Sequence, residues 1–119
     1  MRGAGGSGKV ARMSFDRTAL PRELRPFVDE DGRLVAWPAR QKAQRQAIAY
    51  LATRFEPGRD YHERDVNELL QAWHTFGDWA LLRRMLFDWR FLDRQPDGSG
   101  YRLRDAAPWT LAGDAAPAP

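Results

Sequence analysis

The first residues in this 119-residue chain with the types needed for chemistry are Gly3-Ala4-Gly5-Gly6-Ser7-Gly8-Lys9. They match the first seven positions of a phosphate-binding loop, where glycine N–H groups cradle phosphates and a lysine reaches them. That chemistry also needs a strand before the run, a helix after it, and a Ser or Thr following the lysine to hold Mg²⁺. Only Met1-Arg2 precede the run, and Val10 replaces the hydroxyl, so it reads as a leader and not as a nucleotide site. His62 and His74 are the only histidines. On one helix they stand about 18 Å apart, too far to share a metal ion. A zinc site needs three or four ligands, so each histidine reads as a capping or surface residue. Without cysteine there is no thiolate nucleophile, thiolate zinc site or disulfide framework. Ser7, Ser14 and Ser99 lie outside any Gly-x-Ser-x-Gly frame. Asp29-Glu30-Asp31 and the pair Glu63 and Asp65 group carboxylates. Acid–base work needs burial to split their pKa values, whereas a turn and a helix start are solvated hosts. No active site assembles, so the expectation is a protein that is not an enzyme and takes no metal or other cofactor.

The basic residues carry more information. Arginine outnumbers lysine 17 to 2, and its planar fork suits phosphate and carboxylate. A GC-rich genome gives the same bias, and the net charge is only +3. Placement is more telling than number. From Arg33 to Phe55 there are Arg33, Arg40, Lys42, Arg45 and Arg54, with no acid. Further along come the adjacent Arg83 and Arg84, then Arg94 and Arg102 on either side of a glycine-rich segment.

These side chains need elements to position them. Phe27-Val28 and Leu34-Val35 flank an acidic turn ending in Gly32, a small hairpin. Trp37-Pro38 stops it and sets up a helix start. Ala47, Ile48, Leu51 and Phe55 repeat at helical spacing and predict a first helix over 40–55, ended by Pro57-Gly58. Arg40 and Lys42 open it, where positive charge opposes the helix dipole. Val66, Leu69, Leu70 and Trp73 predict a second helix over 62–73, with His62 at the cap position and Asp65 three residues on. A link over 74–77 leads to Asp78, the cap of a third helix over 79–90 whose stripe is Leu82, Met85, Leu86 and Trp89. Ala80, Arg83, Arg84 and Phe87 fall on its opposite face. Residues 91–94 and 101–103 read as two strands around the loop 95–100, and residues 59–61 as a short third strand.

The expected fold is α+β, mainly helical: three helices, a C-terminal β-hairpin wing and a small N-terminal hairpin, the plan of a winged helix-turn-helix. The domain is expected over 20–105, between a leader at 1–19 and an Ala/Pro tail at 106–119. An apolar fraction of 43% supports a core. No run approaches the roughly 20 apolar residues of a membrane span, and the N-terminus lacks the apolar stretch of a signal peptide. A cytoplasmic protein with no membrane partner is expected.

A further set of residues resembles a known family. The runs are Asp31-Gly32-Arg33-Leu34, Trp37-Pro38-Ala39-Arg40, Tyr50-Leu51 and Phe55-Glu56-Pro57-Gly58-Arg59. Tyr61, Glu63, Val66-Asn67-Glu68, Leu82-Arg83-Arg84, Phe91-Leu92-Asp93-Arg94 and Asp97-Gly98 continue them. Together they resemble the uncharacterised bacterial family called domain of unknown function 2087, over about residues 24–104. The chain departs at His62, where similar sequences carry Thr or Ser. Members occur alone or joined to ArsR-type regulators, so the resemblance implies a role linked to transcription in bacteria; it implies no catalytic residues.

Two functions fit. In the first, the third helix carries Arg83 and Arg84 into the major groove of double-stranded DNA, while Arg40, Lys42, Arg45, Arg94 and Arg102 anchor phosphates. Asp78, Asp88, Asp93 and Asp97 lie nearby and oppose that reading. In the second, the same fold contacts a protein or senses a small ligand, with Phe87, Trp79 and Trp109 as exposed apolar groups. Either function accommodates a homodimer or a partner regulator.

Overall fold

The computed structural model describes residues 16–97 and 99–104. The leader and tail expectations, and Trp109 with them, lie almost wholly outside these residues. Two 3-10 turns, Arg17–Ala19 and Arg25–Phe27, precede helix α1 at Gln41–Ala52, strand β1 at Asp60–Tyr61, helix α2 at Glu63–Trp73 and helix α3 at Trp79–Asp88. Strands β2 at Leu92–Arg94 and β3 at Tyr101–Leu103 complete the order.

The helix stripes become the core by the expected geometry. Residues three and four apart share a face, and Val66 and Leu70 of α2 and Leu82 and Leu86 of α3 are fully buried. Burying each leucine contributes about 1.5–3 kcal/mol. Leu69, Trp73, Met85 and Trp89 border them and are partly buried. Helix α1 supplies the largest share of the core: Ala47, Ile48, Tyr50 and Leu51 are inside, and its alanines leave room for close approach of its neighbours. It ends earlier than the periodicity suggests. Phe55 reaches the core from a turn after Thr53, edge-on to Tyr61 at 5.1 Å.

The three strands form one antiparallel sheet in the order β1-β3-β2, with Asp60 opposite Arg102 and Arg94 opposite Tyr101. The short strand expected at 59–61 is therefore present and pairs with the far strand of the hairpin. The glycine at position 100 is what permits this approach. A Cβ there would stand 2.1 Å from the Tyr61 carbonyl oxygen.

The N-terminal hairpin shrinks to a single antiparallel bridge, Val28 with Leu34. Its turn is built by Asp29, whose carboxylate accepts the Asp31 and Arg33 N–H groups at 2.9 Å. Leu34 then joins the loop after α2. Its N–H donates to the Trp73 carbonyl at 2.9 Å, and its carbonyl accepts from Thr75 at 3.0 Å. The hairpin is thus stitched to the turn between α2 and α3. Three helices with a small three-stranded sheet, mainly helical and consistent with a winged helix, is the architecture the periodicities imply.

Candidate nucleic-acid interface

The position of α3 is set by the turn that precedes it. His74 is 5% exposed, so of the two expected readings, capping or surface, the surface one is corrected and the capping one stands. Its Nε2 accepts the Asp78 N–H at 2.9 Å, and its Nδ1 contacts the Leu70 carbonyl oxygen. That pattern assigns the ring proton to Nδ1, because only an unprotonated Nε2 can accept. The ring also packs edge-on against Phe76 at 4.8 Å. Gly77 takes a left-handed φ of 71°, a conformation open to glycine at little cost. Asp78 caps α3 by accepting the Leu81 N–H at 3.3 Å. One imidazole and one carboxylate therefore hold the end of α2, the turn and the start of α3 together.

Arg83 adds a cross-tie and departs from the expected outward pose. Its Nη1 donates to Asn67 Oδ1 on α2 and lies 3.9 Å from Glu63. Only 24% of its side chain is exposed. Arg83 thus braces α3 against α2. Arg84, by contrast, is 76% exposed, and its Nε faces Asp88 Oδ2 at 3.4 Å. The exposed positions of α3 are Ala80, Arg84, Phe87 and Asp88.

The helix stops two residues before the expected end. Arg90 adopts φ 67°, the Phe91 N–H donates to the Leu86 carbonyl at 2.8 Å, and the Arg90 N–H donates to Phe87 at 3.0 Å. This is the paired closure of a Schellman motif, with arginine where glycine is favoured. Leu86 and Phe91 are both buried and supply its apolar contact. Arg90 is left exposed at the end of α3, a cation that sequence reasoning passed over. Its signal was the lack of a glycine after the last apolar stripe residue.

Beyond this end, Phe87 is 42% exposed and meets Tyr101 of β3 edge-on at 6.4 Å. The guanidinium of Arg94 stands 5.8 Å from the Tyr101 ring centroid. Arg84 and Phe87 on the helix thus adjoin Tyr101 and Arg94 on the sheet. A shallow groove of about 240 Å³ lies beside Phe87 at the end of α3, lined by Phe87, Asp88, Arg90, Leu92, Asp93 and Arg104, so that two carboxylates face its two arginines. The other wing arginines have acid partners. Arg102 reaches Asp60 at 2.7 Å, and Arg104 reaches Asp93 at 2.9 Å. At the wing tip, the Ser99 N–H donates to Asp97 at 2.9 Å. Hydrogen bonds from the Ser99 side chain and backbone hold the Asp97 carboxyl below its usual range.

The basic start of α1 forms a separate group. Arg40 is the exposed residue preceding α1, Lys42 pairs with Glu23 at 3.3 Å, and Arg45 is half-buried. Hydrogen bonds from its own N–H, from Gln46 and from Lys42 lower the Glu23 carboxyl pKa. Arg40 and Lys42 border a groove of about 510 Å³ floored by Phe27, Pro38 and Ala43. It shares no lining residue with the groove beside α3. Trp79 is half-buried against the core rather than displayed. Among the described residues, no three His, Asp or Glu side chains group as metal ligands. No helix among them is long and apolar enough to cross a membrane.

A tight helix-turn-helix, followed by a hairpin whose far strand pairs with a short strand between the first two helices, defines a winged-helix-like domain. Residues 33–103 match the family described as uncharacterized proteins conserved in bacteria, DUF2087. The chain belongs to that family. Comparison with curated proteins and with solved structures gave no match.

Proposed function

We propose that this domain is a bacterial, cytoplasmic, transcription-linked module that binds duplex DNA with α3 in the major groove and the β2–β3 wing on the backbone. The observation that carries the reading is the exposed strip formed by Arg84 and Phe87 on α3 and Arg94 on the sheet, joined through the buried Tyr101 ring that Phe87 and Arg94 both contact. Arg90 extends its charge at the helix end. Among the described residues no ion pair holds Arg90 or Arg94, whereas Arg102 and Arg104 are each neutralised by an aspartate. Arg102 is accordingly a weaker phosphate anchor than its position in the wing suggests, and Arg83 positions the helix instead of reading bases. Arg40, Lys42 and Arg45 supply a second phosphate contact only if the duplex extends to the start of α1. A second copy or a partner regulator places a second α3 on the operator.

Few free cations means modest, salt-sensitive affinity. Two or three phosphates neutralised give a slope of log affinity against log salt of about −1.8 to −2.7. Affinity then falls roughly 10- to 40-fold between 50 and 200 mM salt. Fluorescence anisotropy with a labelled random duplex tests this. A salt-independent signal, or none at the lowest salt, rejects the reading. Phe87 at 42% exposure favours a second reading, a winged helix that binds a protein or a small ligand through the same strip. In that case Phe87→Ala abolishes partner capture, and salt leaves the contact unchanged.

A further inference from the structure

We infer that α3 reads a guanine flanked on both sides by thymines; this rests on the DNA-binding reading above and specifies its target. The outward face of α3 offers one cationic fork, paired with the exposed Asp88, between two apolar groups. Ala80 precedes Arg84 by four residues, and Phe87 follows it by three, so all three lie along one stripe. Arg83, the other candidate reader, is withdrawn to Asn67 and Glu63.

The state of Arg84 favours guanine. Asp88 faces its Nε at 3.4 Å, and among the described residues neither terminal Nη makes a hydrogen bond. Guanine presents two acceptors, O6 and N7, in the major groove, and an arginine fork pairs with both at once. A carboxylate on Nε occupies the side of the guanidinium away from the fork, which leaves the Nη pair for a base edge, while an exposed pair at this distance holds the side chain only weakly. Adenine offers a donor at N6 in place of the O6 acceptor, and the fork cannot pair with it bidentately.

The neighbours favour thymine. Alanine and phenylalanine side chains contact the thymine C5-methyl, the one apolar group on the major-groove edges. Helical rise puts Ala80 about 6 Å before Arg84 and Phe87 about 4.5 Å after it. With base pairs spaced by about 3.4 Å, these distances correspond to one or two steps on either side. Phe87 keeps its exposed edge available because Tyr101 covers only one side of the ring, at 6.4 Å.

The experiment is in vitro selection from a random duplex pool with the full chain, followed by base-analogue substitution in the enriched site. The expected site holds a guanine with a thymine one or two base pairs away on each side. Replacing that guanine by 7-deazaguanine removes the N7 acceptor but keeps O6, and weakens binding by roughly 2- to 12-fold, about half the free energy of a bidentate pair. Replacing each flanking thymine by uracil deletes only a methyl group and costs about four-fold. Both arms use the unmodified protein, so folding of a variant does not enter. The exposed substitution Arg84→Ala then erases the guanine preference. Salt-dependent retention of the pool with no enriched site, or an enriched site indifferent to deazaguanine and uracil, overturns this inference and leaves DNA binding standing. No retention at low salt overturns both.

Discussion

Replacing Gly100 by alanine tests the contact that attaches the wing to the helices. The added Cβ would stand 2.1 Å from Tyr61 O, 2.9 Å from Tyr61 C and 3.2 Å from His62 Cα. All three are backbone atoms, so no side chain can swing aside. Relief requires a shift of roughly 1 Å between β1 and β3 at the Tyr61–Tyr101 pair. Overpacking of this kind, with weakened ladder hydrogen bonds, costs about 3 kcal/mol. For a domain of this size that lowers Tm by roughly 12–24 °C. Gly58→Ala is the matched control. Its φ is 78° with nothing within 4 Å of an added Cβ, so only backbone strain of about 1 kcal/mol is added. Differential scanning calorimetry on both variants reads the difference. The reasoning fails if the two melt together, or if Gly100→Ala melts within a few degrees of the parent.

Three further perturbations follow from the same contacts. Arg90→Gly relieves a left-handed arginine and raises stability by about 0.5–1 kcal/mol in urea titration, while removing one cation beside α3. Arg83→Ala leaves Asn67 without its guanidinium and costs about 1–2 kcal/mol; if stability is unchanged but a base preference is lost, Arg83 reads DNA after all. Burial pushes the Tyr50 hydroxyl above its ordinary 10.0, so the neutral phenol is favoured in the folded state. That contribution is present below pH 10 and is lost as pH rises through the raised value. Tyr50→Phe should flatten this alkaline loss, while costing about 1 kcal/mol near neutrality for the bond to the Gly32 carbonyl.

The fold is largely legible in the sequence because periodicity and turn chemistry agree at each step. Val66, Leu70, Leu82 and Leu86 are spaced for one face and are the buried residues of α2 and α3. Asp78 is a capping residue by type and caps in fact. Less legible are features that depend on what comes close through space. Arg83 and Arg84 are adjacent and of one type, yet a 100° turn of the helix sends one to Asn67 and leaves the other in solvent. Nothing in the spacing of His74 marks it as buried. Its burial depends on Leu34, forty residues earlier, which bridges to its backbone. The pairing of Arg102 and Arg104 with Asp60 and Asp93 follows from sheet register, which a two-residue strand does little to announce. Trp73 and Trp89, read as core, are too large to be enclosed in so thin a layer and stay partly exposed.

The most direct test of α3 as the reading element is an amide chemical-shift titration of the labelled chain with a duplex at low salt. The expected result is that shifts concentrate on residues 79–90 and on 94–101 of the wing, and that Arg84→Ala weakens them together. Saturating duplex that leaves these amides in place, or that moves only residues 38–45 at the start of α1, contradicts it.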